Sequence, residues 1–206
     1  MIALDRRAAI VLCGGRSTRM GQDKASLAFG DETMLQRVVR LVGETVGPIV
    51  VVAAPDQQVP ELPQRVAVVR DRHRGRGPLE GLAAGLAAVP EEVEAAYATS
   101  CDVPLLRPAL VERMFDLLGT HEIAVPRDGQ HHHPLAAVYR PGVLEYIDRL
   151  LAADRLRPLF LFEQVATRVI PVDELRDVDP ELDTLANLNR PEDYRAALER
   201  CGFASP

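Results

Sequence analysis

Hydrophobic residues along the chain follow two patterns, one typical of strands and one typical of helices. Short unbroken apolar runs indicate strands buried on both faces of a sheet. Apolar residues spaced three or four apart predict helices with one buried side. Strand, helix, strand, loop and strand succeed one another in the first half, which is the order of an α/β fold with a parallel sheet. The predicted strands are 10–12, 49–54, 66–69, 95–100, 123–126, 135–139 and 168–172, and the predicted helices are 33–46, a helix from Pro78, 110–118, 143–151, 156–165 and 192–201.

Length and charge limit the class of protein. With 206 residues, 47% of them apolar, the chain is predicted to bury one substantial core and to form a single domain, residues 1–206. The net charge is −6, and the charged residues are interspersed. A nucleic-acid binder needs a basic face to neutralise phosphates, so nucleic acid is excluded as an expected partner.

The cysteines and the absence of long apolar runs indicate the compartment. Cys13, Cys101 and Cys201 are odd in number and lack Cys-x-x-Cys spacing, which argues against a disulfide framework and a zinc site. No run approaches the ~18 apolar residues of a membrane span. We therefore expect a soluble, unprocessed protein in the reducing cytoplasm, with no membrane partner.

The stretch AIVLCGGRSTRMGQDK, residues 9–24, runs from a predicted strand into two glycines and spaced cations. Gly14 and Gly15 allow backbone N–H groups to approach an anion closely. Arg19 and Lys24 add a guanidinium fork and an ammonium group. The stretch therefore predicts a polyphosphate site, although two glycines alone would fit an ordinary turn. It matches neither the dinucleotide fingerprint nor the Walker loop.

A second glycine-rich segment spans residues 70–86, RDRHRGRGPLEGLAAGL. Pro78 suits the first turn of a helix. Gly81 and Gly85 then fall inside that helix, each at a cost of about 1 kcal/mol relative to alanine. Either something packs closely against them, as in tight helix-on-sheet packing, or a ligand approaches.

Asp102 follows the predicted strand 95–100, and open α/β sheets bind their ligands beyond the carboxyl ends of such strands. Magnesium needs few carboxylates when phosphate oxygens and water complete its shell, so Asp102 is the candidate metal ligand. The alternative is a turn residue or an N-cap before the helix near Pro108. The three histidines at 131–133 raise the alternative of a metal site, but consecutive side chains point in different directions and cannot readily converge on one ion. The segment is therefore interpreted as a solvated loop.

Three of these segments resemble the MobA-like nucleotidyltransferases, and most closely the molybdenum cofactor guanylyltransferases. The first is Leu12-x-Gly-Gly-x-Ser-x-Arg-Met-Gly-x-Asp-Lys24, the second is Gly77-Pro78-Leu79-x-Gly81, and the third is Asp102-x-Pro. Asn187-x-Asn189-x-Pro-Glu-Asp and the His133-Pro134 pair also match the family. Cys13 departs from the usual alanine, and Ala53 stands where guanylyltransferases often have asparagine.

The resemblance implies a three-layer α/β/α sandwich of the Rossmann-like, nucleotide-diphospho-sugar transferase type. It implies a nucleotide-binding half at about 1–107 and an acceptor-binding half at about 108–206. The reaction would transfer GMP from GTP to molybdopterin or Mo-molybdopterin, with Mg²⁺ as cofactor and pyrophosphate released. The resemblance also implies transient contacts between this protein and the proteins that deliver and receive the molybdenum cofactor.

The resemblance also assigns roles to residues. Catalysis would use Arg19, Lys24 and Asp102, with Asp102 holding the metal. The acceptor would bind His133, Asn187 and Asn189, with Arg157 as a further candidate contact. Nucleotide-binding positions would be Leu12, Cys13, Gly14, Gly15, Lys24, Asp71, Gly77, Pro78, Leu79 and Asp102.

Three other functions fit the same fold. A cytidylyltransferase would use CTP, but such enzymes tend to carry a serine-containing stretch in place of GPLEG. A sugar-phosphate nucleotidyltransferase usually needs a longer chain for its sugar pocket. A non-catalytic nucleotide-binding module would have no need of Arg19, Lys24 and Asp102.

Overall fold

The computed structural model describes residues 2–13, 23–71, 73 and 75–204. Within them, eight strands form one sheet and two more form a short hairpin. The strands are β1 (Arg7–Leu12), β2 (Ala28–Phe29), β3 (Glu32–Thr33), β4 (Ile49–Ala53), β5 (Val66–Arg70), β6 (Ala95–Ser100), β7 (Ile123–Asp128), β8 (His131–His132), β9 (Ala137–Tyr139) and β10 (Thr167–Pro171). The helices are α1 (Met34–Val42), α2 (Pro78–Leu86), α3 (Pro108–Leu118), α4 (Leu144–Ala152), α5 (Leu159–Phe162) and α6 (Pro191–Arg200).

The sheet is mostly parallel, as predicted, and its strand order is β10-β7-β9-β6-β1-β4-β5, with β8 paired to β7. β1 lies between β4 and β6 and pairs in parallel with both. The antiparallel pairs involve β9, which lies between β6 and β7, and the short β7–β8 pair. The carboxyl ends of β1, β4, β5 and β6 therefore meet at one edge of the sheet.

Helices cover both faces of the sheet, which gives the expected three layers. Alternate residues of β1 face opposite sides: Ala9 and Val11 pack with α1 and α3, whereas Ile10 and Leu12 pack with α2 and α4. A smaller core joins the β2–β3 hairpin to α6, through contacts such as Phe29 with Tyr194. This third core fastens the C-terminal helix to the segment that follows Lys24.

The glycines of α2 allow the helix to lie close to β1. A Cβ atom at Gly85 would come within 2.4 Å of Ile10 Cγ2, and one at Gly81 would come within 3.1 Å of Leu12 Cδ2. Close helix-on-sheet packing is thus confirmed for Gly85. At Gly81 the same Cβ would also lie 3.3 Å from Asp71 Oδ1, so a side chain at this position would crowd both Leu12 and a carboxylate.

Two helices differ in extent from the sequence prediction. α1 ends at Val42 rather than at 46, because residues 43–45 form a turn; its start is fixed by a capping box between Thr33 and Gln36. The predicted helix 156–165 is helical only at Leu159–Phe162. In the part of the chain that the structure describes, no helix is long and apolar enough to cross a membrane.

Candidate functional site

Residues from three distant parts of the chain meet at the carboxyl edge of the sheet. The Lys24 Nζ atom donates to Asp102 Oδ2 at 2.7 Å and to Asn189 Oδ1 at 2.9 Å. Asn187 Nδ2 donates to Asp102 Oδ1 at 2.7 Å. The sequence motifs that suggested Lys24, Asp102 and the two asparagines are therefore brought together in one cluster.

Asp102 is the centre of this cluster. Besides Lys24 and Asn187, Ser100 Oγ donates to Asp102 Oδ1 at 2.5 Å, and the Leu188 backbone N–H donates to the Asp102 carbonyl at 2.9 Å. The side chains of Lys24 and Asp102 are 16% and 13% exposed, so the pair is mostly shielded but can still be reached from solvent. A carboxylate held by three donors has a fixed orientation, as a site for charged ligands requires.

The structure excludes the helix-capping alternative for Asp102. Helix α3 begins at Pro108, and its N-cap residue is Arg107, whose side chain makes no capping hydrogen bond. Asp102 lies well before this position in the chain, and its carboxylate accepts from the cluster instead. The position of Asp102 after β6 is therefore explained by its contacts at the sheet edge rather than by the start of α3.

The Asn189 side chain does not cap a helix either. Helix α6 has Arg190 as its N-cap residue. The Asp193 carboxylate accepts from the Asn189 and Arg190 backbone N–H groups at 3.2 and 3.0 Å. Because Asp193 fixes the start of the helix, the Asn189 side-chain oxygen is left to accept from Lys24.

Two polar residues of this region were missed by the sequence analysis. Ser100 lies two positions before Asp102, and this i, i+2 spacing at the end of a strand was the available signal. Gln57 comes from the polar connection after β4, and no local pattern distinguishes it. Its Nε2 atom donates to the Asp23 carboxylate at 2.9 Å and to the Cys13 carbonyl at 3.2 Å.

Asp23 fixes the short turn that carries Lys24. Its carboxylate accepts from the Ala25 backbone N–H at 3.1 Å, and it is the N-cap residue of a single helical turn over Lys24–Ser26. The Gln57 contact holds the same carboxylate from the β4 side. Lys24 therefore reaches Asp102 from a segment whose backbone is held at both sides.

The end of β1 lies at the same edge of the sheet. Leu12 is the last residue of the strand, and the Cys13 backbone N–H donates to the Val52 carbonyl at 2.8 Å. Gly14, Gly15 and Arg19 lie outside the described residues. The structure does describe two predicted nucleotide-binding residues of this segment, Leu12 and Cys13. The Cys13 carbonyl accepts from Gln57, and the Leu12 carbonyl accepts at 3.0 Å from the backbone N–H of Cys101, the residue before Asp102.

The start of α2 faces this edge as well. Gly77 adopts a φ of 79°, a conformation that favours glycine, directly before Pro78 and Leu79 begin the helix. As the N-cap residue, Gly77 makes no side-chain capping hydrogen bond. The three predicted nucleotide-binding residues of the second motif therefore form one turn between the loop after β5 and α2.

Asp71 follows β5, and its backbone N–H donates to the Ala53 carbonyl at 3.0 Å. Its Oδ1 atom is buried and has no hydrogen-bond partner among the described residues. Burial raises the pKa of the Asp71 carboxyl above its usual value, and the charge of Glu80 raises it further. The buried Oδ1 atom is therefore available for a hydrogen bond with a ligand.

A cavity of about 420 Å³ adjoins the cluster on the acceptor side, and Asn187 belongs to both. His133 lines the cavity, and so does Arg157. Burial lowers the pKa of His133, with a further contribution from His131, so its imidazole is neutral at pH 7. Its Nε2 atom is buried and has no partner in the described part of the chain.

The interpretation of residues 131–133 as a solvated loop is wrong. His131 and His132 form β8, and all three histidines line the cavity. The His131 and His133 rings lie edge to face with centroids 5.1 Å apart, because residues two apart in an extended segment share a face. The His132 ring lies 5.5 Å from that of Phe162.

The Asp102 carboxylate can bind a hard cation such as Mg²⁺ only if a bound nucleotide supplies further oxygen ligands. No group of three or more His, Cys, Asp or Glu residues able to hold a metal occurs within 2–13, 23–71, 73 and 75–204. A carboxylate offers about four lone-pair positions, of which Lys24, Ser100 and Asn187 occupy three. A cation sharing this carboxylate with a triphosphate would agree with the few protein ligands that magnesium takes.

Comparisons with known proteins agree with this geometry. The model of the MobA-like NTP transferase domain matches residues 9–167. A relative from Mycobacterium avium named "Probable molybdenum cofactor guanylyltransferase" is 41% identical over 198 residues, covering 93% of this chain and 95% of its own. A relative of the same name from Pelotomaculum thermopropionicum is 33% identical over 188 residues, covering 89% and 88%.

Solved structures support the fold. Molybdopterin-guanine dinucleotide biosynthesis protein A from Archaeoglobus fulgidus superposes with a TM-score of 0.79 at 23% identity, covering 95% of this chain and 98% of its own. The 2-C-methyl-D-erythritol 4-phosphate cytidylyltransferase from Thermus thermophilus superposes with a TM-score of 0.68 at 13% identity, covering 94% and 98%. The predicted α/β architecture is thus confirmed.

Proposed function

The chain belongs to the MobA-like NTP transferase family, and we propose that it is a molybdenum cofactor guanylyltransferase. It would transfer GMP from GTP to molybdopterin or Mo-molybdopterin, release pyrophosphate and form molybdopterin guanine dinucleotide. The names of its relatives support this substrate pair. The observation that carries the proposal is the Lys24–Asp102–Asn187 cluster, which lies between the nucleotide-binding edge and the 420 Å³ cavity.

The proposed reaction does not need a side chain of the protein to act as a general base. The second pKa of a phosphate monoester is about 6, so the attacking phosphate is already largely ionised at neutral pH. Catalysis then depends on positioning the two phosphates and on stabilising the charge that moves to pyrophosphate. Lys24 supplies positive charge for this role, and its contact with Asn189 directs the ammonium toward the cluster. Arg19, from the same motif, is proposed to add a second cation.

Asp102 is the residue we propose to hold Mg²⁺, together with phosphate oxygens of the nucleotide. When bound, the cation would supply charge stabilisation for the phosphoryl oxygens and the leaving group. Ser100 and Asn187 hold the carboxylate in place from the Oδ1 side. This arrangement keeps the orientation of the carboxylate fixed when Lys24 contacts phosphate.

The acceptor is proposed to lie in the cavity. Asn187 spans its boundary with Asp102, so a phosphate at that boundary would be close to both sites. His133 presents a nitrogen that has no hydrogen-bond partner among the described residues, and Arg157 presents a cation. The free cysteines, Cys13, Cys101 and Cys201, support a reducing compartment such as the cytoplasm, where proteins that deliver and receive the cofactor would meet this one.

The test is nucleotide choice in the presence of acceptor. With Mg²⁺ and molybdopterin, GTP should release pyrophosphate and CTP should not. Replacing molybdopterin with a hexose phosphate should abolish release from GTP. Equal rates with GTP and CTP would refute the guanine assignment, and turnover of the hexose phosphate would favour a sugar-phosphate nucleotidyltransferase.

A further inference from the structure

Asp71 and Glu80 form a pair of carboxylates with unsatisfied oxygens beside the nucleotide-binding edge. The Glu80 side chain is 5% exposed, and its Oε2 atom is buried without a hydrogen-bond partner among the described residues. The Oδ1 atom of Asp71 is also buried and has no hydrogen-bond partner among the described residues. Leaving a buried acceptor unpaired costs about 1–3 kcal/mol, so two such atoms in one place indicate that a ligand supplies the missing donors.

Among the described residues, Glu80 forms a hydrogen bond through only one of its oxygens. Its Oε1 atom contacts His73 Nδ1 at 2.9 Å. The nearest described cation to Oε2 is Arg76, whose Nη1 atom lies 3.5 Å away as an ion pair. Arg76 in turn donates to the Leu151 carbonyl at 2.5 Å and pairs with Asp154 at 3.3 Å. Glu80 is therefore held in place by His73 at one oxygen and by the ion pair with Arg76 at the other, and Oε2 can still accept a hydrogen bond.

The pair lies where the nucleoside end of an NTP would be. Asp71 follows β5 at the carboxyl edge of the sheet, and its Oδ1 atom lies so close to the first turns of α2 that a Cβ atom at Gly81 would come within 3.3 Å of it. Glu80 lies in the first turn of α2, shortly after Gly77. Two carboxylates repel phosphate oxygens, so the part of the nucleotide that faces them must present N–H or O–H donors.

Resting on the proposed function, we propose that Glu80 is a specificity-determining residue that accepts from the N2 amino group of guanine, while Asp71 accepts from N1–H. The Watson–Crick edge of guanine offers two adjacent donors, N1–H and the N2 amino group. Cytosine offers a single amino donor beside acceptor atoms, which would leave one carboxylate unpaired. A site built to pair with donors discriminates strongly against a base that lacks them.

The competing explanation is that Glu80 serves only to anchor His73 and Arg76. Inosine triphosphate separates the two roles, since hypoxanthine keeps N1–H and lacks the amino group of guanine. The quantity to measure is the ratio of kcat/KM for GTP to that for ITP, in Glu80→Gln and in the unmodified protein. Asp154→Asn is the matched control, because it removes an exposed partner of Arg76 and leaves Glu80 unchanged.

We expect Glu80→Gln to lower kcat/KM for GTP by about 10- to 100-fold, the range for a lost hydrogen bond to a charged group. The rate with ITP should change much less, so the GTP/ITP ratio should fall, whereas Asp154→Asn should keep the ratio. Equal losses with both nucleotides in Glu80→Gln would overturn the inference. If the unmodified protein used neither nucleotide, the proposed function itself would fail.

Discussion

Replacing Asp102 with asparagine tests the centre of the cluster. Three donors point at the two carboxylate oxygens, from Lys24, Ser100 and Asn187. Asparagine keeps one acceptor oxygen and replaces the other with an NH₂ group. The better orientation keeps Ser100 and Asn187 paired and turns the NH₂ group toward the Lys24 ammonium, so the ion pair is lost and two donors face each other.

The cost to folding should be moderate. One unpaired donor corresponds to about 1–3 kcal/mol, which for a chain of this size lowers Tm by roughly 2–12 °C. A protein with about 5–15 kcal/mol of stability remains folded. Activity should fall further, by about 10²–10³-fold, the loss typical of removing one electrostatic contact to the transition state. Added magnesium should recover part of it if the carboxylate holds the cation.

The assay is pyrophosphate release across a magnesium titration, alongside thermal unfolding of the same sample. Ser100→Ala is the control, because it removes a donor to Asp102 and leaves the carboxylate charge in place. Its Tm should fall by a similar amount while most activity remains. Full activity of folded Asp102→Asn at every magnesium concentration would refute the metal role and favour a binding module.

Two further predictions follow from the site. Lys24→Ala should lower kcat more than it weakens GTP binding, because catalysis depends on contacts that strengthen in the transition state; kinetics and calorimetric titration with GTP would check this, and unchanged kcat would remove Lys24 from catalysis. Burial and the neighbouring His131 depress the pKa of His133 in the folded state, so its contribution to stability is complete above the unfolded value near 6.5 and is lost as the pH falls through the folded value. Urea unfolding at pH 7.5 and 5.5 should show a smaller loss in His133→Gln than in the unmodified protein, and equal losses would contradict this assignment.

The longer strands were predictable because each is a local apolar run, whereas the two-residue strands β2, β3 and β8 have no such run and were not predicted. β1, β4, β5 and β6 lie together in the sheet. The hydrophobic pattern alone placed the ends of these strands to within about three residues. The end of α1 was not predictable from spacing, because Val46 is buried although it lies beyond the helix. The helical spacing of apolar residues therefore continues past the end of α1, because Val46 is buried in the core although the backbone has already formed a turn.

The site depends on contacts that no local pattern contains. Asp102 stood out because it follows a strand, but its contacts with Lys24 and Asn187 span 78 and 85 positions. The family resemblance suggested these residues, and only the fold shows which of them touch. Glu80 had no signal beyond its place between two glycines, since its burial comes from packing between α2 and neighbouring segments.

The contact between Lys24 and Asn189 joins positions 165 residues apart, near the two ends of the chain. During synthesis, β1 and the turn that carries Lys24 leave the ribosome long before Asn187 and Asn189 do. The same late segment brings α6, whose Tyr194 packs against Phe29 beside that turn. A nascent or prematurely ended chain can thus build most of the sheet while its charged centre stays incomplete, so phosphate chemistry begins only when the last helix is in place.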